Sequence, residues 1–394
     1  MATITGLERL VNEKSAQEVL KGKVAYLGHS ASIDRNYVLG VYHLQKILGQ
    51  RLVKLFGPQH GFVTDVQDNM IESRDFIHPF FKIPVYSLYS HSRIPTEEML
   101  KDVDTLVIDL QDVGTRVYTY ISTLALCMQS CGEKNIKVVV LDRPNPVGGE
   151  MIEGPILEKK WKSFVGHHQI PQRHGLTMGE IAILTKKYYS DCELDVVTMK
   201  NWKRSQFFYQ TNLPWVNPSP NLPTMDGALT FVGTVLFEGT NLSEGRGTTR
   251  SLEMIGHPKI EAFSFVHSTN QKIYQEGGEG FVIRPLVFMP TFQKHAGVAC
   301  GGVQIHVTDP RKFQSWKVGQ LLCREFKSAL GEDFKWRDTP YEYENDRLAI
   351  DLINGSELVR EWVEKQGSVI ELDSIQKIGL EVFLGQRSDV LIYG

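Results

Sequence analysis

No apolar run in the chain approaches the ~20 residues that a bilayer-spanning helix requires, so no membrane partner is expected. A surplus of charge of either sign is also lacking: 43 basic and 46 acidic side chains leave a formal net charge of −3. Without a surplus of positive charge there is no general electrostatic reason to bind nucleic acid or an anionic surface. Cysteine is sparse, with Cys127, Cys131, Cys192, Cys300 and Cys323 scattered and odd in number. That usage favours reduced thiols over a disulfide framework. Cys127 and Cys131 stand one helical turn apart and read as small core residues. Low-complexity tracts and internal repeats do not stand out.

The usual cofactor signatures are missing too. After the first apolar run the chain reads Gly28-His-Ser-Ala-Ser-Ile33, with no second or third glycine. A dinucleotide fingerprint needs those glycines for close backbone approach to a pyrophosphate. There is no Gly-Lys-Ser/Thr loop and no Gly-x-Ser-x-Gly elbow. No nicotinamide, flavin or other cofactor is expected. Adjacent His167 and His168 point apart in an extended segment, so no metal site is expected either. The N-terminus lacks a basic head followed by an apolar core. On that reading there is no signal peptide, and the location is cytoplasmic.

What the chain does have is an ordinary globular composition, 42% hydrophobic and 23% charged. Its 394 residues exceed what one core usually organises, which predicts two domains. Two apolar runs, Thr105-Leu-Val-Ile108 and Val138-Val-Val-Leu141, have no polar alternation and read as strands buried on both faces. The stretch between them is long enough for a crossover helix. Further strands are expected at 24–27, 52–56 and 85–88, with helices at 8–20 and 37–48. Alternating strands and helices predict an α/β, Rossmann-like, doubly wound parallel sheet over residues 1–155. Texture changes after Gly154. A capping box, Thr177-Met-Gly-Glu180, opens a helix to Tyr189, and a helix is expected over 224–237. Strand-like runs at 282–286 and 303–307 then alternate with helical ones at 316–329 and 356–365. Residues 156–394 are read as a second α+β domain that shares a cleft with the first.

In open parallel sheets, ligands bind outside the carboxyl ends of the strands. Gln111, Asp112, Asp142 and Arg143 emerge there and form the candidate floor of a site.

Longer motifs surround those positions. They are Gly57-Pro-Gln-His-Gly-Phe62, Asp109-Leu-Gln-Asp-Val-Gly-Thr-Arg-Val-Tyr-Thr-Tyr120, Leu141-Asp-Arg-Pro-Asn-Pro146 and Glu153-Gly-Pro155. They continue with Arg173-His-Gly-Leu-Thr177, Pro218-Ser-Pro-Asn-Leu-Pro223 and Leu236-Phe-Glu-Gly-Thr-Asn-Leu-Ser-Glu-Gly-Arg-Gly-Thr-Thr249. In these the chain resembles the bacterial exo-β-N-acetylmuramidases, from about Gly28 to Arg387. The resemblance implies a glycoside hydrolase that removes N-acetylmuramic acid from the non-reducing end of peptidoglycan fragments. It also implies an active site between two domains and substrate-assisted catalysis, in which the sugar's 2-acetamido group attacks the anomeric carbon. Such enzymes depart from the two-carboxylate scheme but still need an acid for the leaving oxygen.

One departure from the family pattern stands out: Gln59 occupies the place of the glutamate in Gly-Pro-Glu-His-Gly, and glutamine cannot carry a proton. The second family glutamate matches Glu72, the expected acid/base. Glu153 is the expected partner of the acetamido nitrogen. Recognition of the lactyl carboxylate of muramic acid calls for an arginine, and Arg116, Arg143 and Arg246 are all candidates. Gln59, His60, His174, Asn221 and Asn241 are candidate hydrogen-bonding groups, and Tyr118 and Trp215 candidate stacking surfaces. Glu238 and Glu244 bind sugar hydroxyls or tie their loop to Arg246. Two alternatives stay open: a muropeptide-binding protein without catalysis, suggested by Gln59, and a hydrolase for another amino sugar.

Overall fold

A computed structural model describes residues 1–68, 70–338 and 340–394. Seven strands form one sheet: β1 (Val24–Gly28), β2 (Leu52–Gly57), β3 (Phe76–Ile77), β4 (Pro84–Ser87), β5 (Thr105–Asp109), β6 (Lys137–Leu141) and β7 (Leu194–Val197), in the order β3-β4-β2-β1-β5-β6-β7. Only the two-residue β3 runs antiparallel; the other pairings are parallel. The apolar runs behave as their lack of alternation implies. Ala25 and Leu27 enter one core and Val24 and Tyr26 the other. Leu106 and Ile108 likewise face away from Val107, and Val138 and Val140 away from Val139 and Leu141. A strand with period two needs apolar residues at every position when both faces are covered.

The chain runs outward from β1 to β2 and β4, then returns to lay β5 on the other side of β1. That reversal makes the β1–β5 boundary the switch point of the sheet. Helix Tyr120–Glu133 follows β5, and helix Met178–Tyr188 opens with the expected capping box of Thr177 and Glu180. Helices Gly6–Asn12 and Gly40–Leu48 cover the opposite face through Leu7, Leu10, Val41 and Leu44. The helix expected over 8–20 is broken at Glu13, whose backbone is extended, and resumes as Lys14–Gln17. β7 falls after residue 155, so the expected point of division lies within the segment that builds this sheet.

A second, antiparallel sheet has the order β8 (Met254–His257), β10 (Cys300–Val307), β9 (Phe281–Phe288). Helix Ala262–Gly277 packs on β9 and β10, and Ser315–Leu330 packs on that helix and on Met225–Thr234. One apolar core runs without interruption from Leu27 and Ile121 in the first half to Trp316 and Trp362 in the second. The two halves are therefore locked together by burial, with a cleft at their seam. β8 and helix 262–277 escaped the sequence reading: the strand is short and interrupted by Gly256, and the helix is largely polar.

Candidate active site

The strand ends at the switch point are filled by their own polar groups. Arg143 grips Asp109 with two hydrogen bonds, Nε to Oδ1 at 2.5 Å and Nη2 to Oδ2 at 3.1 Å, and gives Nη1 to Ile33 O at 3.0 Å. Tyr26 OH donates to the same carboxylate at 2.9 Å. Asp142 accepts from Gly179 N, Thr177 Oγ1 and Tyr393 OH, holding the start of helix 178–188, and burial pushes its pKa up to about 6. The Gln111 side chain donates to the carbonyls of Asp112 and Pro144. Asp112 accepts from Gly114 N within its own turn, and His174 Nε2 lies 3.6 Å from it. Arg116 spends its guanidinium on the carbonyls of Pro155, Ile170 and Ile353, and burial without an anion lowers its pKa to about 9. The space against Gln111 and Arg143 is ≈ 10 Å³, barely the volume of one water. The expected floor is thus largely engaged with the protein itself: Asp142, Arg143, Gln111 and Arg116 bond neighbouring groups, while Asp112 Oδ1, Arg116 Nε and His174 Nε2 are buried without a hydrogen-bond partner.

The open chemistry lies one step outward. β2 delivers Gly57-Pro-Gln-His, and a side chain on Gly57 would strike Phe62 N at 2.3 Å, so only glycine lets the loop fold back this tightly. His60 then sits at φ 71°, a left-handed conformation seldom taken by non-glycine residues. Its Nδ1 faces Val66 O at 2.7 Å and its Nε2 faces Ser219 Oγ at 3.1 Å. A carbonyl only accepts, which assigns the proton to Nδ1 and makes Nε2 an acceptor. Burial lowers the pKa to about 4 and keeps the ring neutral. Gln59 accepts from Thr119 Oγ1 at 2.6 Å and donates Nε2 to Glu342 Oε1 at 3.1 Å.

From the other half come Ser219, Asn221, Glu238, Arg246, Tyr341 and Glu342, which line the cleft with Gln59, His60, Tyr118 and Thr119. Arg246 bonds Glu238 through Nη2 and Glu244 through Nε, the loop-tying arrangement of the two open for these glutamates, and Lys294 lies 2.7 Å from Glu244. Arg246 Nη1 and Asn221 Oδ1 are buried with no hydrogen-bond partner. A buried polar atom left so costs about 1–3 kcal/mol. Glu342 and Tyr343 are the central pair of a tight turn closed by Tyr341 and Glu344, with φ of 47° and 70°. Such turns usually take Asn-Gly; here a glutamate and a tyrosine are held in the strained form. Tyr89 OH donates to Glu342 Oε2 at 2.6 Å. Burial, aided by nearby Glu238, raises the Glu342 pKa to about 7 despite the hydrogen bonds from Tyr89 and Gln59 and the pull of Arg246.

Neither carboxylate chosen from the sequence as catalytic lines this cleft. Glu72 is exposed, lines a separate hollow of ≈ 490 Å³ and accepts from Tyr343 OH at 3.3 Å. Glu153 is locked between Arg173 Nη1 at 2.7 Å and Trp316 N at 2.9 Å. Asn241 lines a third hollow, ≈ 550 Å³, and bonds the backbone of Asp333 and Lys335. Trp215 packs edge-on against Phe208. Glu342, Tyr341, Tyr89, Thr119 and Ser219 were missed. Thr119 and Ser219 stand inside quoted motifs and were within reach; Glu342 lies 283 positions from Gln59 with no motif around it. The cleft itself is narrow, ≈ 40 Å³, so a sugar ring enters only if its walls part.

Comparison with known proteins accords with this architecture. Family models described as exo-beta-N-acetylmuramidase NamZ, N-terminal and C-terminal, match residues 24–226 and 229–393. A peptidoglycan beta-N-acetylmuramidase NamZ of Bacillus subtilis (strain 168) is 41% identical over 391 residues, 99% of this chain and 91% of that protein. Two DUF1343 family proteins of Bacteroides fragilis NCTC 9343 superpose with TM-scores of 0.87 and 0.76, at 29% and 27% identity. Each alignment covers 100% of this chain and 99% of the other.

Proposed function

The chain belongs to the exo-beta-N-acetylmuramidase NamZ family, and we propose that it is itself an exo-acting glycoside hydrolase releasing N-acetylmuramic acid from the non-reducing end of peptidoglycan fragments. The observation that carries this reading is the seam cleft, where Gln59, His60, Asn221, Glu238 and Arg246 converge from motifs of both halves. Its polar atoms suit an amino sugar. Arg246 Nη1 is an unused cationic donor, and a lactyl carboxylate is an acceptor that satisfies it. Arg143 has its whole guanidinium taken up by Asp109 and a carbonyl, and Arg116 has both terminal nitrogens taken up by carbonyls. Asn221 Oδ1 is an unused acceptor for a sugar hydroxyl or amide N–H.

We read catalysis as substrate-assisted, with attack by the sugar's acetamido oxygen. In that scheme the amide oxygen bonds to C1 as the aglycone oxygen leaves with a proton, giving an oxazolinium. Water then opens it, and the β configuration is retained. The reading places the enzyme in the cytoplasm, acting on imported wall fragments. Incubation with 4-nitrophenyl β-N-acetylmuramide tests it: free N-acetylmuramic acid is expected, with little turnover of the matching glucosaminide. Gln59 favours one rival, a muropeptide-binding protein without catalysis. Tight binding with no sugar released is its result, and faster cleavage of the glucosaminide points to another amino sugar.

A further inference from the structure

We propose that Glu342 is the general acid–base of this chain, serving the cleft from the position next to Gln59. The inference rests on the hydrolase reading above. A glycosidase whose motif glutamate has become glutamine still has to protonate a leaving oxygen. Among the described residues lining the cleft, the carboxylates are Glu238 and Glu342. Glu238 has both oxygens engaged, by the Arg246 guanidinium and by Tyr341 OH. Glu342 has neutral donors only, Gln59 Nε2 and Tyr89 OH. It is 4% exposed and sits on a turn with two left-handed non-glycine residues, an arrangement that aims one side chain at a cost in backbone strain. The Gln59 amide is satisfied by Thr119 on one side and Glu342 on the other. It therefore works as a fixed bracket for the acid.

In the first half-reaction the Glu342 proton passes to the glycosidic oxygen while the C1–O bond breaks and the acetamido oxygen bonds to C1. The Glu342 carboxylate then takes a proton from the water that attacks C1, and the acetamido C–O bond opens. Charges facing Glu342 are Glu238 on the segment after helix 225–234 and Arg246 on the following loop, with Tyr89, Tyr341 and Tyr343 as neutral hydroxyls. Burial holds the Glu342 pKa near 7, and His60 is neutral throughout that range.

The test compares a natural disaccharide, N-acetylmuramyl-N-acetylglucosamine, with 4-nitrophenyl β-N-acetylmuramide, whose leaving group needs little protonation. Glu342→Gln is expected to lower kcat on the disaccharide about 10²–10⁴-fold and on the nitrophenyl glycoside far less, with KM within about threefold. The wild type is expected to lose disaccharide turnover as pH rises through about 7, where the acid ionises, and this holds as a measurement even if the variant folds poorly. Equal loss on both substrates, unchanged kcat on the disaccharide, or no alkaline fall overturns the assignment. A wild-type chain that releases sugar from neither substrate overturns the hydrolase reading and the assignment with it.

Discussion

Two buried polar clusters lie near the carboxyl ends of the same sheet, and they differ in what they leave unfinished. At the β1–β5 switch point, Asp109, Arg143 and Tyr26 close on one another through hydrogen bonds. In the seam cleft, Arg246 Nη1 and Asn221 Oδ1 lack partners, and Glu342 is held near neutrality by burial. Both clusters are charged, and both stand where a Rossmann-like sheet gathers function. Position in the fold does not separate them; completeness of hydrogen bonding does. A satisfied ion pair has nothing left to offer a ligand, whereas an orphaned donor has its desolvation cost already sunk into the fold.

The largest expected effect breaks the closed cluster. Arg143→Ala strands Asp109 as a buried charge and is expected to cost about 3–5 kcal/mol of stability, read as a fall in the urea midpoint. Glu342→Gln is expected to act in the opposite direction. Its folded pKa lies above the ordinary carboxylate value, so Glu342 binds its proton more tightly in the folded state. Its favourable share is present below about pH 4.5 and is lost as pH rises through about 7. The variant should therefore match the wild type near pH 4 and exceed it at pH 8 by about 1–3 kcal/mol, measured as urea midpoints at the two pH values. Arg246→Lys keeps a cation for Glu238 and Glu244 but loses the fork. We expect KM for the muramide to rise about tenfold, a cost near 1.4 kcal/mol, while any residual glucosaminide turnover stays level. Smallest of all, Glu72→Gln at the exposed loop should change muramide turnover less than about threefold and stability by under about 0.5 kcal/mol. A hundredfold loss there would return the acid to the loop.

The same contrast explains what the sequence disclosed. Strands β1, β5 and β6 were readable because burial on both faces leaves an unbroken apolar run. The short edge strand β7, with Asp195 inside it and half-buried positions, leaves no such mark. Gln59, His60, Asn221, Glu238 and Arg246, which line the cleft, each stand in a motif that the sequence displays. Asp142, Arg143 and Arg116 stand in motifs of the same kind but serve the fold. Spacing alone cannot tell a side chain that caps a helix from one that meets a sugar. Glu342 had no signal, since its meaning comes from a contact 283 residues away and from burial that only the closed chain creates. Glu72 was preferred for its distance from Gln59 along the loop, yet the loop turns its carboxylate outward to Tyr343.

The most direct measurement is a crystal structure of the Glu342→Gln variant soaked with the natural disaccharide. The walls of the cleft should part to admit the terminal muramic ring, with the side chain at 342 about 3 Å from the glycosidic oxygen and the lactyl carboxylate against Arg246. A ring seated instead in the hollow beside Glu72, with the seam still shut, contradicts the account.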